Sequence, residues 1–242
     1  MRFIGSVIDK LQRHPKRIVF PEGTEPRVLQ AARQFVSLRL GAPILLGDRT
    51  QVKEAAERLN VSLEGVRIIN PAESEDLDEF VRRYELVRHR KGLQEKEARE
   101  AMLKPNYYGA MMVAMHHADG LVSGTSEISG SVLRPLFQII RVAPKTTTAS
   151  SCMVLEVADT RFGHDGCLVM GDCGVIPDPS VEQLADIAVS AAQLSQQLLG
   201  VRPRVALLSF STKGSAAHPS VLKIQAATTL AEQKAHAMLL EA

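Results

Sequence analysis

Short apolar runs alternate with amphipathic stretches along most of this chain, and that alternation is the pattern of a parallel sheet covered by helices. The predicted strands are 18–20, 43–46, 66–69, 120–122, 153–157, 168–170 and 205–208. Between them, 25–40, 52–59, 73–90, 107–117 and 132–140 read as helices, and another helical signal starts at Ala226. The clearest helix follows Asp178. Pro179 takes a first-turn position, Val181, Leu184, Ile187, Ala191, Leu194 and Leu198 form a stripe, and Gly200 stands where a C-terminal cap belongs. With 242 residues, 45% of them apolar, the chain is long enough to bury the cores of two α/β lobes. Near Pro144 the apolar IIRVAP gives way to the polar KTTTASS, which divides the chain into a first lobe, 1–143, and a second, 144–242.

Charge narrows the choice of partners. Lysine and arginine total 29 against 27 acidic residues, and a net charge of +2 gives no general attraction to nucleic acid or to a membrane surface. Any positive field must be local. Cys152, Cys167 and Cys173 are an odd number without C-x-x-C pairing, lie in or beside apolar runs that read as buried strands, and read as reduced thiols. No H-E-x-x-H motif accompanies His116 and His117, and Met102, Met111, Met112 and Met115 have the spacing of a packed helix face, so no metal site is expected. The amino terminus, MRFIGSVIDKLQR, is interrupted by Asp9 and is no secretory leader, which points to the cytoplasm. At the other end the Ala-rich helix runs into AHAMLLEA without a glycine cap or a closing strand, and reads as interrupted; a natural end that frays into solvent is the alternative.

Several loops combine small residues with a donor, the composition that handles anions. SGTSEISGSVLRP places Ser123, Gly124, Ser126, Ser129 and Gly130 between a strand and a helix that carries Arg134. Backbone N–H groups, hydroxyls and a helix start favour an anion there, and the planar guanidinium can bond two oxygens at once. A Ser/Gly turn before a helix is more often only a cap. SFSTKGSA sets Lys213 among hydroxyl residues but lacks the spacing of a nucleotide-triphosphate loop. PEGTEPR follows a strand directly and puts Arg27 in the first turn of a helix, at the sheet edge where open α/β folds bind ligands. RYELVRHRKG gathers Arg82, Arg83, Arg88, Arg90 and Lys91, either as a charged-ligand patch or as a wet helix face with a favourable end charge. Cys173 in GDCG reads as a small buried residue rather than a nucleophile.

Taken together, PEGTEPR, YELVRHRKG, VSGTSEISGSVLRP, FGHDG, MGDCGV and LLSFSTKGSA resemble the phosphate acetyltransferase family in content and order, from about Ile18 onward. The resemblance implies two α/β lobes like those of isocitrate and isopropylmalate dehydrogenases, with mostly parallel sheets flanked by helices, a cleft between the lobes, and a homodimer. It implies an acyltransferase for which acetyl phosphate, inorganic phosphate and coenzyme A (or acetyl-CoA) are substrates, with no cofactor. By resemblance Arg88 and Arg134 match phosphate-holding arginines, Arg27 matches another cleft arginine, and Ser126, Ser129 and Lys213 line the cleft. The family continues into a motif of the form N-D-L-S-R-G, which supplies the proposed base and an oxyanion-stabilising serine and arginine. That motif is absent here, so no catalytic residue is assigned, and the chain is expected to stop before the catalytic segment. The alternatives are a non-catalytic acyl-CoA-sensing module and a phosphate butyryltransferase. An NAD-linked dehydrogenase is disfavoured because no G-x-G-x-x-G follows a strand.

Overall fold

The computed structural model describes residues 2–89, 92–142, 146–212 and 215–239. Its contacts divide into two compact units, Arg2–Arg141 and Val142–Ala242. The boundary drawn from the sequence at 143/144 falls on residues outside those described.

The N-terminal unit holds four parallel strands, β1 (Lys16–Phe20), β2 (Gly41–Leu46), β3 (Arg67–Ile69) and β4 (Gly120–Leu121), in the order β3-β2-β1-β4. Ile18 pairs with Pro43 on one side and with Gly120 on the other. Both faces of this sheet are covered, and the period of two sorts the side chains between them. Val19, Ile44 and Leu46 enter one core with Phe80, Val81, Tyr84, Tyr108 and Met111. Phe20 and Leu45 enter another, with Val28, Leu29 and Ala32 of α2 (Pro26–Ser37) and Val52 and Ala56 of α3 (Arg49–Arg58). The first core is closed by α4 (Leu77–Arg88), α5 (Glu95–Met102), α6 (Pro105–Ala114) and α7 (Ser129–Ile139). An amino-terminal helix, α1 (Arg2–Arg13), precedes β1. Its Gln12 side chain donates to the Leu38 carbonyl at 2.9 Å.

The helix expected over 73–90 begins later than its hydrophobic pattern suggests. A 3-10 turn, Pro71–Glu73, comes first, and α4 starts at Leu77. The reason is local: Asn70 Oδ1 accepts from Ala72 N, and Ser74 Oγ from Asp76 N, so side chains satisfy backbone groups that a continuous helix would use. At the amino ends of β1 and β4, Arg17 clamps Asp119 through Nε and Nη2 at 3.1 and 3.0 Å while its own N–H donates to the same carboxylate at 2.8 Å. The hydrogen bonds from Arg17 hold the Asp119 carboxyl down at about 2.

In the C-terminal unit, β5 (Cys152–Glu156) and β6 (Cys167–Gly171) form an antiparallel pair, where the sequence pattern had suggested mostly parallel pairing. Helix α8 (Val181–Leu199) is capped by Ser180, which accepts from Gln183 N at 3.2 Å, and ends at Gly200 in the left-handed conformation (φ 70°). Helix α9 (Pro219–Leu239) packs on it. Between them lies a buried network in which Asp186 of α8 accepts from Thr147 and Thr148 hydroxyls at 2.7 and 2.8 Å and from Lys234 of α9. The strand expected at 205–208 does not form. A strand requires a neighbouring ladder, and among the described residues β5 is the only strand beside β6; Val205 and Leu208 are left 51% and 80% exposed. The segment borders a cavity of about 500 Å³ walled by Leu168, Ile187, Ala191 and Leu207.

The cysteines are free, and only Cys167 is buried; Cys152 and Cys173 are exposed, contrary to the buried positions expected for them. The first begins β5 and the second follows the end of β6, so both occupy strand ends rather than strand centres. Met102, Met111 and Met112 fill the N-terminal core. Among the described residues, no group of three His, Cys, Asp or Glu gathers as a metal site, and no helix is long and apolar enough to cross a membrane.

Candidate active site

The strand order places a topological switch at the carboxyl ends of β1 and β4, because the chain runs outward from β1 to β2 and β3 and returns to the opposite side of β1. Crevices of this kind are where open α/β sheets bind ligands. Two loops meet there, 21–25 after β1 and 122–128 after β4. The first is drawn tightly against the sheet: Gly23 N donates to the Leu46 carbonyl at 3.2 Å, and a Cβ at residue 23 would lie 2.4 Å from that oxygen. The second turns at Gly124, whose φ of 105° is readily open only to glycine.

The anion-binding character predicted for SGTSEISG is realised, and the anion is the protein's own. Four successive N–H groups converge on the Glu22 carboxylate: Gly124 and Thr125 donate to Oε2 at 2.8 and 3.0 Å, Ser126 and Glu127 to Oε1 at 2.5 and 3.1 Å. The Ser126 hydroxyl adds a bond at 2.8 Å, and the Ser123 hydroxyl approaches Oε2 at 3.3 Å. Partial burial works to raise this carboxyl, but the bonds from Ser126, Thr125 and Gly124 outweigh it and hold it at about 2. A folded-state value below the ordinary glutamate range means that Glu22 stabilises the folded loop fully at neutral pH. That contribution is lost as pH falls from about 5 through about 2. A carboxyl-carbon NMR titration is expected to show a Glu22 midpoint near 2; a midpoint in the ordinary range would contradict the network.

Arg27 ties the two loops together. Its Nε donates to Glu25 Oε1 at 2.7 Å and its Nη2 to the Thr125 carbonyl at 2.9 Å. Glu25 in turn caps α2, accepting from Arg27 N and Val28 N. A cavity of about 660 Å³ adjoins these loops, walled by Glu22, Lys104, Tyr107, Ser126, Ser131 and Arg134 among others. That volume is in the range of small-molecule sites. Arg134 and Lys104 have no carboxylate partner among the described residues, so the cavity carries two uncommitted cations. Asn106 stands beside them, its Oδ1 accepting from Ser123 Oγ at 2.8 Å.

Of the residues singled out in the sequence, Ser126 and Arg134 line the cavity. Arg27 braces its rim through Thr125. Ser129 is exposed and begins α7 without reaching the cavity wall. Arg88 ends α4 half-buried beside Tyr84, a phenol pushed up to about 12 by burial and by Tyr107, with the Arg88 charge pulling the other way. It is one step removed from the cavity: Tyr84 and Tyr107 hydroxyls both donate to Gln138 Oε1, at 2.6 and 3.0 Å, and Tyr107 is part of the wall. Lys213, Arg90 and Lys91 lie outside the described residues. Glu22 and Lys104 are the residues the sequence reading passed over. Glu22 carried one signal, since of the two acidic residues in PEGTEPR only Glu25 has a local cap to serve.

MGDCGV in the C-terminal unit repeats the device. Asp172 follows β6 and accepts from Ser151 N at 3.0 Å, from the Ser151 hydroxyl, and from Gly174, Val175 and Ile176 N–H at 3.2, 3.3 and 2.7 Å. Burial would raise this carboxyl, yet the Ser151 hydroxyl and the backbone donors hold it well below the usual carboxylate range.

An α/β unit with an anion-handling crevice at its switch point matches what the comparisons with known proteins find. The model of the phosphate acetyl/butaryl transferase family matches residues 2–241, and the chain belongs to that family. It is 42% identical over 232 residues to the phosphate acetyltransferase of Thermoanaerobacterium thermosaccharolyticum, spanning 96% of this chain and 70% of the relative. It is 37% identical to that of Acetivibrio thermocellus, with 97% and 70% covered. The solved structure of EutD phosphotransacetylase from Staphylococcus aureus superposes with a TM-score of 0.86 at 38% identity, covering 99% of this chain and 70% of that one.

Proposed function

We propose that this chain is a phosphate acetyltransferase that moves an acetyl group between acetyl phosphate and coenzyme A, works without a resident cofactor, and acts as a cytoplasmic homodimer. The observation that carries the reading is the family match across 2–241, with relatives of that name. The cavity bearing Arg134 and Lys104 supports it, because its uncommitted cations suit a phosphoryl group. In the forward reaction the coenzyme A thiol gives up its proton and the sulfur attacks the acetyl carbonyl. The carbon–oxygen bond to phosphate then breaks and phosphate leaves, taking up a proton in place of the one the thiol lost. Arg134 can hold two phosphoryl oxygens and stabilise the charge the leaving group gains, with Lys104 as a point charge beside it. The thioester product gives a direct assay, and phosphate-dependent cleavage of acetyl-CoA gives the reverse one. A chain that catalyses neither reaction and binds neither phosphate nor acetyl-CoA would overturn the reading.

Replacing Arg134 by lysine keeps the charge and removes the paired donors. The expected result is about tenfold weaker use of acetyl phosphate or phosphate, on the scale of one charge-assisted hydrogen bond. Kinetic and binding constants equal to those of the unaltered protein would remove Arg134 from the site.

A further inference from the structure

Glu22 touches the candidate site and has no part in the chemistry just described, yet the fold surrounds it more completely than any other residue of that site. Five donors from four consecutive residues, Gly124 to Glu127, are directed at one carboxylate. A phosphoryl group could take the same N–H groups only by expelling it, and expulsion would leave a carboxylate stripped of its partners next to a more highly charged anion. The cavity beside the loop offers Arg134 and Lys104 without carboxylate partners among the described residues, so a phosphoryl group has cations to meet there without entering the loop.

The geometry points to Glu22 as a positioning residue: a permanent internal anion that holds the 123–127 loop, and through it the start of α7, so that a phosphoryl substrate is received by Arg134 and Lys104 in the cavity and never by the loop's backbone. The proposal rests on the phosphoryl-substrate reading above. The loop keeps its shape before, during and after substrate binding, and the helix bearing Arg134 starts from a fixed point.

The test uses the whole chain and two probes, inorganic phosphate and formate. In the unaltered protein, phosphate is expected to shift the Arg134 side-chain signals in a saturable way while the Gly124 to Glu127 amide signals stay in place. In Glu22→Ala, those four amides are expected to exchange with solvent at least about tenfold faster, as befits the loss of charge-assisted bonds. Formate, a free carboxylate of the right size, is expected to restore their protection as it saturates. Loop amides that move with phosphate in the unaltered protein would overturn the proposal, since Glu22 would then be displaced by substrate. So would loop amides in the variant that exchange no faster. If the alanine variant does not fold, the phosphate titration of the unaltered protein decides alone, and Glu22→Asp, which keeps the charge one methylene back, is expected to show intermediate protection. Formate rescue without any phosphate binding would sink the functional reading and leave the latch standing.

Discussion

Substituting alanine for Phe80 is expected to lower the unfolding free energy of the N-terminal unit by about 3–5 kcal/mol, the range for truncating a fully buried aromatic ring. Phe80 is wholly inaccessible in the first turns of α4, with the Tyr108 ring centroid at 5.0 Å and the His117 ring at 5.3 Å. Both neighbours are themselves committed: the Tyr108 hydroxyl bonds Ser74, and His117 Nδ1 lies 3.2 Å from Asp76. They cannot easily collapse into the space left by the ring, which puts the cost toward the upper part of that range. A denaturant titration should show an earlier midpoint, and the melting temperature should fall on the order of 10 °C. Phe80→Leu, which keeps most of the volume, should cost roughly 1.5 kcal/mol or less. A loss below about 1 kcal/mol for the alanine variant would mean that α4 does not close the core as described.

The second large effect is expected at Asp172. Alanine there removes the acceptor for Ser151, Gly174, Val175 and Ile176 together. Several of these groups are only partly buried, so water takes over some of the bonds, and the net cost should be about 2–4 kcal/mol. Asparagine keeps one acceptor oxygen and should cost less. Hydrogen exchange locates the effect, with acceleration at Ser151 and at 174–176 before the rest of the unit. Because the carboxyl is held below its ordinary range, the same bonds should weaken as pH falls through the acidic range and should be complete at neutrality. Exchange at those amides that is indifferent to both substitutions would remove Asp172 from this role.

How much was legible in the sequence follows from how local each cause is. Strands β1 to β4 and, of the helices between them, α2, α3, α4 and α6 were readable because hydrophobic period is written in consecutive residues and both faces of the N-terminal sheet are covered, whereas the eight-residue, mostly charged α5 was not foreseen. The donors of the 123–127 loop were equally readable, being glycine, serine and backbone. What fills that loop was not, since Glu22 lies about a hundred positions upstream and only the parallel pairing of β1 with β4 brings it there. For the same reason the bond from Arg27 to the Thr125 carbonyl, 98 positions away, could not be read from the sequence. The segment at 205–208 has the composition of a strand, but composition cannot supply the neighbour whose backbone would pair with it. Cys152 and Cys173 show the same limit: an apolar run predicts a strand and leaves open which of its ends is covered.

The placement of the tyrosines makes the molecule its own optical probe. The chain has three tyrosines and no tryptophan, and Tyr84, Tyr107 and Tyr108 all belong to the N-terminal unit. Emission excited in the tyrosine band therefore originates from that half of the chain alone. Two of the three rings meet edge to face at 5.8 Å and share Gln138 as hydrogen-bond acceptor. A quencher or ligand that enters the cavity lies against Tyr107, the tyrosine in its wall, so intensity changes there report occupancy without any label, and the other half of the chain stays dark.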